Sequence, residues 1–144
     1  MLGVKPYINF KGNCQEAIDF YKENLGAEVL FIGRYGDSPM KGHAPDDKIM
    51  HCTLKIGDSH VMACDSVFEE YPVSVGNNIC LAIGTDDLDH AEKMFEQMSE
   101  GGQITMPMQE TFWAQRFGML TDKFGINWMF NCEREGTDHA EAAA

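Results

Sequence analysis

The chain has 144 residues, of which 44% are hydrophobic, a size that suits one compact domain with a sizeable core. Acidic residues outnumber basic ones by 23 to 11, and the formal net charge of −12 disfavours binding to phosphate backbones or anionic membranes. No apolar stretch reaches the ~20 residues that span a bilayer, and the start lacks a signal-peptide pattern. We therefore expect a cytoplasmic protein with neither nucleic-acid nor membrane partners.

The first half of the chain predicts a strand, a helix and three further strands. Asn13 is a candidate helix cap and Gly26 a candidate helix end, with apolar residues between them at the spacing of one buried helical face. The region 36–48 is rich in Gly, Pro and Asp and predicts a loop, whereas the turn residues 57–59 predict a hairpin. The predicted strands are 4–10, 28–35, 49–56 and 60–65, and the helix is 14–25.

The second half predicts the same order of elements. Thr85 or Asp86 is a candidate cap for a helix whose apolar face runs from Leu88 to Met98, and Gly101 and Gly102 end that helix. The predicted strands are 78–84, 103–109, 111–121 and 126–132.

The matching order indicates an internal duplication. Ala17 and Tyr21 of the first helix correspond to Ala91 and Phe95 of the second, 74 positions later. We expect a single domain, 1–132, made of two repeats, about 4–65 and 77–132, and then a tail, 133–144, that is either frayed or a short helix. The five cysteines form no C-x-x-C pair and are odd in number, so we expect reduced thiols and no disulfide framework.

Two stretches of the sequence resemble the PhnB-like branch of the glyoxalase/bleomycin-resistance (vicinal-oxygen-chelate) superfamily. The first is PYINF at 6–10 with Gly12-Asn13 and EAIDFY at 16–21. The second is FWAQRFG at 112–118, followed by Asp122, Phe124-Gly125 and Trp128, with Ala114 and Lys123 where Gly and Pro are usual. The resemblance implies an α+β fold, two βαβββ modules forming a curved eight-stranded mixed sheet with the helices on one face and a cup on the other, and a homodimer.

In metal-using members of that superfamily, His or Glu side chains from strands one, four, five and eight hold one metal ion. The resemblance carries those four positions onto Pro6, Met62, Asn78 and Met129, none of which suits a hard divalent ion. We therefore predict no metal and no other cofactor. The alternative is a divalent metal held by displaced ligands of the central hairpin, and these are His51, Cys52, His60, Cys64 and Asp65.

Strand alternation from those four positions predicts an apolar cup with a few amides. Trp113 and Arg116 have opposite parity, so which of them faces the cup stays open, and Arg116 needs either a buried carboxylate such as Asp65 or Asp122, or an anionic ligand. Trp128 is predicted to lie in the core. The ligand-pocket candidates are Ile8, Phe10, Met62, Cys64, Asn78, Trp113, Arg116, Asn127 and Met129.

No Ser-His-Asp order, P-loop or helix-opening glycine-rich loop is present, which argues against hydrolase and nucleotide-dependent chemistry. The leading hypothesis is a dimeric protein that binds a small organic molecule, or an enzyme that works without a metal, with no catalytic residue assigned. One alternative is a metal-dependent lyase, isomerase, dioxygenase or thiol transferase with displaced ligands. Another is a regulatory or scaffolding dimer with an empty cup.

Overall fold

The computed structural model describes residues 2–134, so most of the predicted tail lies outside the described residues. The chain divides into two compact units, Met1–Ser74 and Val75–Ala144, and each contains one βαβββ series. Unit 1 consists of β1 (Tyr7–Phe10), α1 (Cys14–Leu25), β2 (Glu28–Arg34), a 3₁₀ turn (Tyr35–Asp37), β3 (Ile49–Ile56) and β4 (Ser59–Asp65). Unit 2 consists of β5 (Leu81–Thr85), α2 (Leu88–Met98), β6 (Gln103–Gln109), β7 (Ala114–Thr121) and β8 (Asn127–Glu133).

The two units have the same sheet topology. The strand order is β1-β4-β3-β2 in unit 1 and β5-β8-β7-β6 in unit 2. In each sheet the first pair is parallel and the other two pairs are antiparallel. The predicted α+β class with two βαβββ modules is confirmed, and backbone hydrogen bonds group the eight strands as two four-stranded mixed sheets.

Each helix buries one face against its own sheet, as the apolar spacing predicts. In unit 1, Ala17, Ile18 and Tyr21 of α1 are at most 2% exposed. In unit 2, Phe95 of α2 packs edge-on against Phe130 of β8, with ring centroids 5.5 Å apart and planes at 88°. Burying one large apolar side chain of this kind contributes roughly 2 kcal/mol to stability, so these helical faces hold each unit together.

The helix caps differ from the prediction because other carboxylates reach the free N–H groups. Asn13 occupies the cap position of α1 but its side chain makes no capping bond. The buried Asp65 carboxylate accepts the Cys14 N–H at 2.9 Å instead. In α2 the cap is Asp87, which accepts the His90 N–H at 3.0 Å, so the prediction of Thr85 or Asp86 is wrong.

Strands β1, β5 and β7 each begin three residues later than predicted, and β8 begins one residue later. The segment before β5 is irregular because the Asn127 side-chain amide donates to the carbonyls of Gly76 and Ile79, at 2.9 and 3.3 Å. Before β7, the Thr111 hydroxyl accepts the Ala114 N–H at 3.1 Å and closes a turn. Local side-chain bonds of this kind compete with strand pairing.

The edge strands β2 and β6 are irregular. The register of β2 against β3 shifts at Val29/Phe31 and Gly33/Arg34. The register of β6 against β7 shifts at Ile104/Met106 and again before Gln109. Such bulges increase the local twist of a strand.

Within residues 2–134, no helix is both long enough and apolar enough to cross a membrane.

Candidate functional site

Unit 1 presents a face of its sheet opposite α1, which we call the open face of unit 1. Paired residues on neighbouring strands point to the same side, and the pairs here are Tyr7 with Met62 and Asn9 with Cys64. Phe31 and Thr53 continue the Tyr7–Met62 row across β3 and β2. The open face of unit 1 consists of Tyr7, Asn9, Phe31, His51, Thr53, Met62 and Cys64.

The predicted facing of β1 is wrong by one residue. Ile8 pairs with Ala63 and Phe10 with Asp65, and both partners are buried on the side of α1. Phe10 is only 4% exposed and belongs to the core. The prediction took Pro6 as an inward-facing position and alternated from it along the strand. Pro6 lies just before β1 begins, so the wrong residues of β1 were predicted to face the cup.

Hydrogen bonds link neighbouring polar groups of the open face to one another. The Tyr7 hydroxyl lies 3.1 Å from His51 Nδ1, and the Thr53 hydroxyl lies 3.5 Å from His51 Nε2. The Cys64 thiol donates to the side-chain carbonyl of Asn9 at 3.2 Å. The Tyr7 and His51 rings lie 5.6 Å apart, so imidazole and phenol form one continuous half-exposed surface beside Met62.

The phenol and the thiol of this face stay protonated at neutral pH. Burial raises the pKa of Tyr7, and its hydrogen bond with Cys64 adds to the rise. Burial also raises the pKa of the Cys64 thiol, and the hydrogen bond with Tyr7 offsets that only in part. A thiol with a raised pKa supplies little thiolate, so Cys64 is a hydrogen-bonding group here and a poor nucleophile.

Unit 2 has a corresponding open face opposite α2. Met119 pairs with Met106 on one side and with Met129 on the other, and Ala82 continues the row on β5. The neighbouring row contains Phe117 paired with Asn131. Met129 therefore lies on the face for which it was predicted, among thioethers of adjacent strands.

Asn78 lies outside any strand, and the side chain of Asn127 makes hydrogen bonds within the fold. Asn78 is exposed in the irregular segment before β5, so its placement in a strand is wrong. Asn127 lies at the start of β8, where its side-chain carbonyl accepts the Thr121 hydroxyl at 2.8 Å while its amide holds the segment 76–79.

Trp113 and Arg116 lie on different sides of the sheet of unit 2, as their opposite parity predicts. Trp113 precedes β7, is 38% exposed, and lies 5.4 Å from the ring of Phe117, a residue of the open face of unit 2. Arg116 pairs with the buried Cys132, which places it on the side of α2. Its guanidinium bonds Glu92 of α2 at 2.6 Å with both side chains about 40% exposed, so the predicted buried partners Asp65 and Asp122 are wrong.

Those two aspartates are occupied elsewhere. Asp65 accepts the backbone N–H groups of Cys14 and Ile49, both at 2.9 Å. Asp122 accepts two backbone N–H groups after β7 and the indole N–H of Trp128 at 2.9 Å. Trp128 is 3% exposed, which confirms its predicted place in the core.

The donor set does not suit the divalent metal that this type of fold often holds. Across residues 2–134, no group of three or more His, Cys, Asp or Glu side chains could hold a metal ion. The four positions carried over from the metal-using relatives supply a proline, two thioethers and an exposed amide. Cys52 and Asp65 of the proposed hairpin set are buried on the side of α1, away from His51 and Cys64.

Sequence reasoning missed Tyr7, Asn9, His51 and Thr53 as members of one surface. The signal was available in the alternation of β3 and β4, because His51 and Thr53 have the parity that pairs with Met62 and Cys64. What was lacking was the register of β1, which places Tyr7 and not Ile8 opposite that set.

Comparison with known proteins identifies relatives over almost the whole chain. The family model described as Glyoxalase/Bleomycin resistance protein/Dioxygenase superfamily matches residues 6–130. Protein YjdN of Escherichia coli is 32% identical over 143 residues, which cover 92% of this chain and 96% of that protein.

Two solved structures are similar to this one. Protein PA1353 from Pseudomonas aeruginosa is 40% identical, with a TM-score of 0.84 over 94% of this chain and all of that one. A putative 3-demethylubiquinone-9 3-methyltransferase, PhnB protein, from Bacillus cereus has a TM-score of 0.75 at 22% identity, over 90% of this chain and 98% of that one. At that identity the PhnB protein shares the fold, in agreement with the PhnB-like motifs. The chain belongs to the glyoxalase/bleomycin-resistance/dioxygenase superfamily.

Proposed function

We propose that this protein binds an uncharged or weakly polar organic molecule of modest size on the open face of unit 1. The hydrogen bond between Tyr7 and His51 carries the proposal, because it holds a donor and an acceptor side by side on a half-exposed surface. Met62 of β4 lies beside Tyr7, and the Phe31 ring of β2 lies 6.0 Å from the His51 ring, so both supply apolar contact next to that pair. A few fixed polar groups within an apolar surface are typical of small-molecule sites.

The protonated state of the Cys64 thiol favours a binding function over covalent catalysis. The pKa of Cys64 is raised, and its proton is donated to Asn9, so no activated nucleophile lies beside Tyr7 and His51. The proposal includes a cytoplasmic homodimer that needs no metal or other cofactor and has no nucleic-acid partner. A fosfomycin-resistance protein from Listeria monocytogenes, which shares the fold at 10% identity, was solved in complex with Mn(II) and the small molecule 1S,2S-dihydroxypropylphosphonic acid, and this supports a small-molecule target for the present chain.

Fragment screening by NMR tests the proposal. We expect hits from a library of neutral aromatic and amide fragments to perturb the signals of Tyr7 and His51. Replacing Tyr7 by Phe removes one hydrogen bond and weakens those hits about tenfold, which corresponds to ~1.4 kcal/mol. Tyr71→Phe is the matched control, because Tyr71 is a 75% exposed phenol outside the open face and its loss leaves affinity unchanged.

Two results would contradict the proposal. One is a screen in which no fragment perturbs the open face of unit 1, which favours a regulatory or scaffolding role. The other is metal analysis of untagged protein, purified without added metal, that finds stoichiometric Ni, Zn, Fe or Mn; this favours a metal-dependent enzyme with displaced ligands.

A further inference from the structure

Three methionines lie side by side across unit 2, and we call Met106, Met119 and Met129 the methionine row. Their register is direct: Met119 of β7 pairs with Met106 of β6 and with Met129 of β8. Each is half-buried on the open face of unit 2, so each thioether is reachable from solution and none is packed away under α2.

The spacing of a sheet brings these sulfur atoms within reach of one point. Side chains directly opposite each other on neighbouring strands have their Cβ atoms about 5 Å apart. Met has three rotatable bonds before its terminal methyl group, so the outer two side chains can turn toward Met119. Three neutral sulfur donors can then converge above the central strand.

We propose that the methionine row binds one soft monovalent cation, Cu(I) or Ag(I). Thioethers are soft ligands that select Cu(I) over hard divalent ions. The next row on this face contains Gly84, Asn131 and Phe117, and the Glu133 carboxylate borders that row. The three thioether donors are themselves neutral and suit a singly charged ion. The net charge of −12 raises the local concentration of cations. This site is independent of the function proposed for unit 1.

A methionine of the same strand provides the matched control. Met108 lies in β6 two residues after Met106, and its sulfur is 2.8 Å from the point where a Cβ on Gly118 would be. Gly118 pairs with the buried Phe130, and the same point is 2.9 Å from Phe95 of α2, so Met108 lies on the other face. Met-to-Leu changes nearly conserve volume and cost under about 1.5 kcal/mol, so these variants keep the fold.

Methionine-methyl NMR tests the site while keeping thiol binding separate. The full chain carries ¹³C in its methionine methyl groups, its accessible cysteines are alkylated with iodoacetamide, and silver nitrate is added without chloride. We expect the methyl signals of the methionine row to shift together and to saturate at one Ag(I) per chain, while the signal of Met108 stays unchanged. Met119→Leu should weaken binding at least about tenfold and abolish the shifts of Met106 and Met129. Met108→Leu should change neither.

Three outcomes would overturn the proposal. The first is that silver moves none of the three methyl signals. The second is that Met106 and Met129 respond in Met119→Leu as they do in the unaltered chain, which means that each binds alone. The third is that the methyl signals shift only when the amide spectrum shows that the chain unfolds.

Discussion

At the scale of single residues, one buried aspartate in each unit stabilises the backbone, at a different place in the two units. Asp65 is 1% exposed at the end of β4 and accepts two N–H groups, one from α1 and one from β3. Asp122 is 3% exposed after β7 and accepts N–H groups of its own turn and of Trp128. A buried carboxylate with several donors satisfies groups that would otherwise be costly to bury.

Replacing Asp65 by Ala should therefore lower the free energy of unfolding by about 3 kcal/mol, because it leaves the N–H groups of Cys14 and Ile49 buried without an acceptor. Urea unfolding followed by circular dichroism measures the loss. Asp19→Ala is the control: Asp19 is exposed and its carboxylate accepts a hydrogen bond from Gln15 on the same helix, so we expect a change within about 0.5 kcal/mol. Equal losses in the two variants would refute this role of Asp65.

The sequence predicted the site residues less well than the fold, and single residues show why. Met129 and Cys64 were placed on the correct faces, since long strands with clear alternation fix side-chain direction. Ile8 and Phe10 were not, because a four-residue strand gives too few positions to fix its parity. The Arg116–Glu92 pair joins residues 24 apart, and no local pattern indicates which carboxylate a helix presents to a sheet.

At the scale of elements, the two helices begin in different ways although they occupy equivalent places. The first turn of α2 is held by a local cap, Asp87. The first turn of α1 is held from a distance by Asp65, 51 residues along the chain. A helix cap can be predicted from neighbouring residues only when the capping side chain is local in sequence. The sequence therefore indicated Asn13 as the cap of α1, whereas in the structure Asp65 accepts the N–H group at the start of that helix.

A pair of variants tests this difference between the helices. Asp87→Ala removes the bond to the His90 N–H and should cost about 1 kcal/mol of unfolding free energy. Asn13→Ala removes no capping bond and should lower the free energy of unfolding by no more than a few tenths of a kcal/mol. Thermal unfolding of both variants against the unaltered chain is the measurement, and a larger loss for Asn13→Ala would show that the assignment of the caps is wrong.

The elements themselves were predictable because repeated patterns support them. Strand, helix and three strands occur twice in the same order, and the apolar faces of both helices follow the helical period. The starts of β5 and β7 were not predictable, since Asn127 and Thr111 hold the preceding backbone through side-chain bonds. A local sequence pattern also does not show which distant strands pair with one another. The duplication helps here, because the second sheet repeats the strand order of the first.

At the scale of the whole molecule, several titrating groups hold their protons more tightly in the fold than in the open chain. Burial raises the pKa of Cys64, Cys132, Tyr7 and Tyr35 above ordinary values of 9.0 for the thiols and 10.0 for the phenols. The folded state therefore keeps protons at alkaline pH that the unfolded state loses. Stability is fully present below about pH 9 and falls as the pH rises further.

We expect the free energy of unfolding to be at least about 1 kcal/mol lower at pH 10.5 than at pH 8. Urea unfolding across that range, with a reductant present, is the measurement. In a Tyr7→Phe, Cys64→Ser double variant two of these groups are absent, so its stability should depend less on pH. Stability that is constant or rises up to pH 10.5 would contradict the assignment of these shifts.

The irregular outer strands have a further consequence for solubility. An exposed strand edge can template the addition of another chain, and a regular edge does so most readily. Here β2 and β6 each break their spacing twice, and β6 also contains Pro107, which has no N–H to offer a newcomer. The irregular edge strands of both units therefore disfavour edge-to-edge aggregation. Deleting Leu30 or Thr105 would make these edge strands more regular, and we expect such variants to precipitate where the unaltered chain stays in solution.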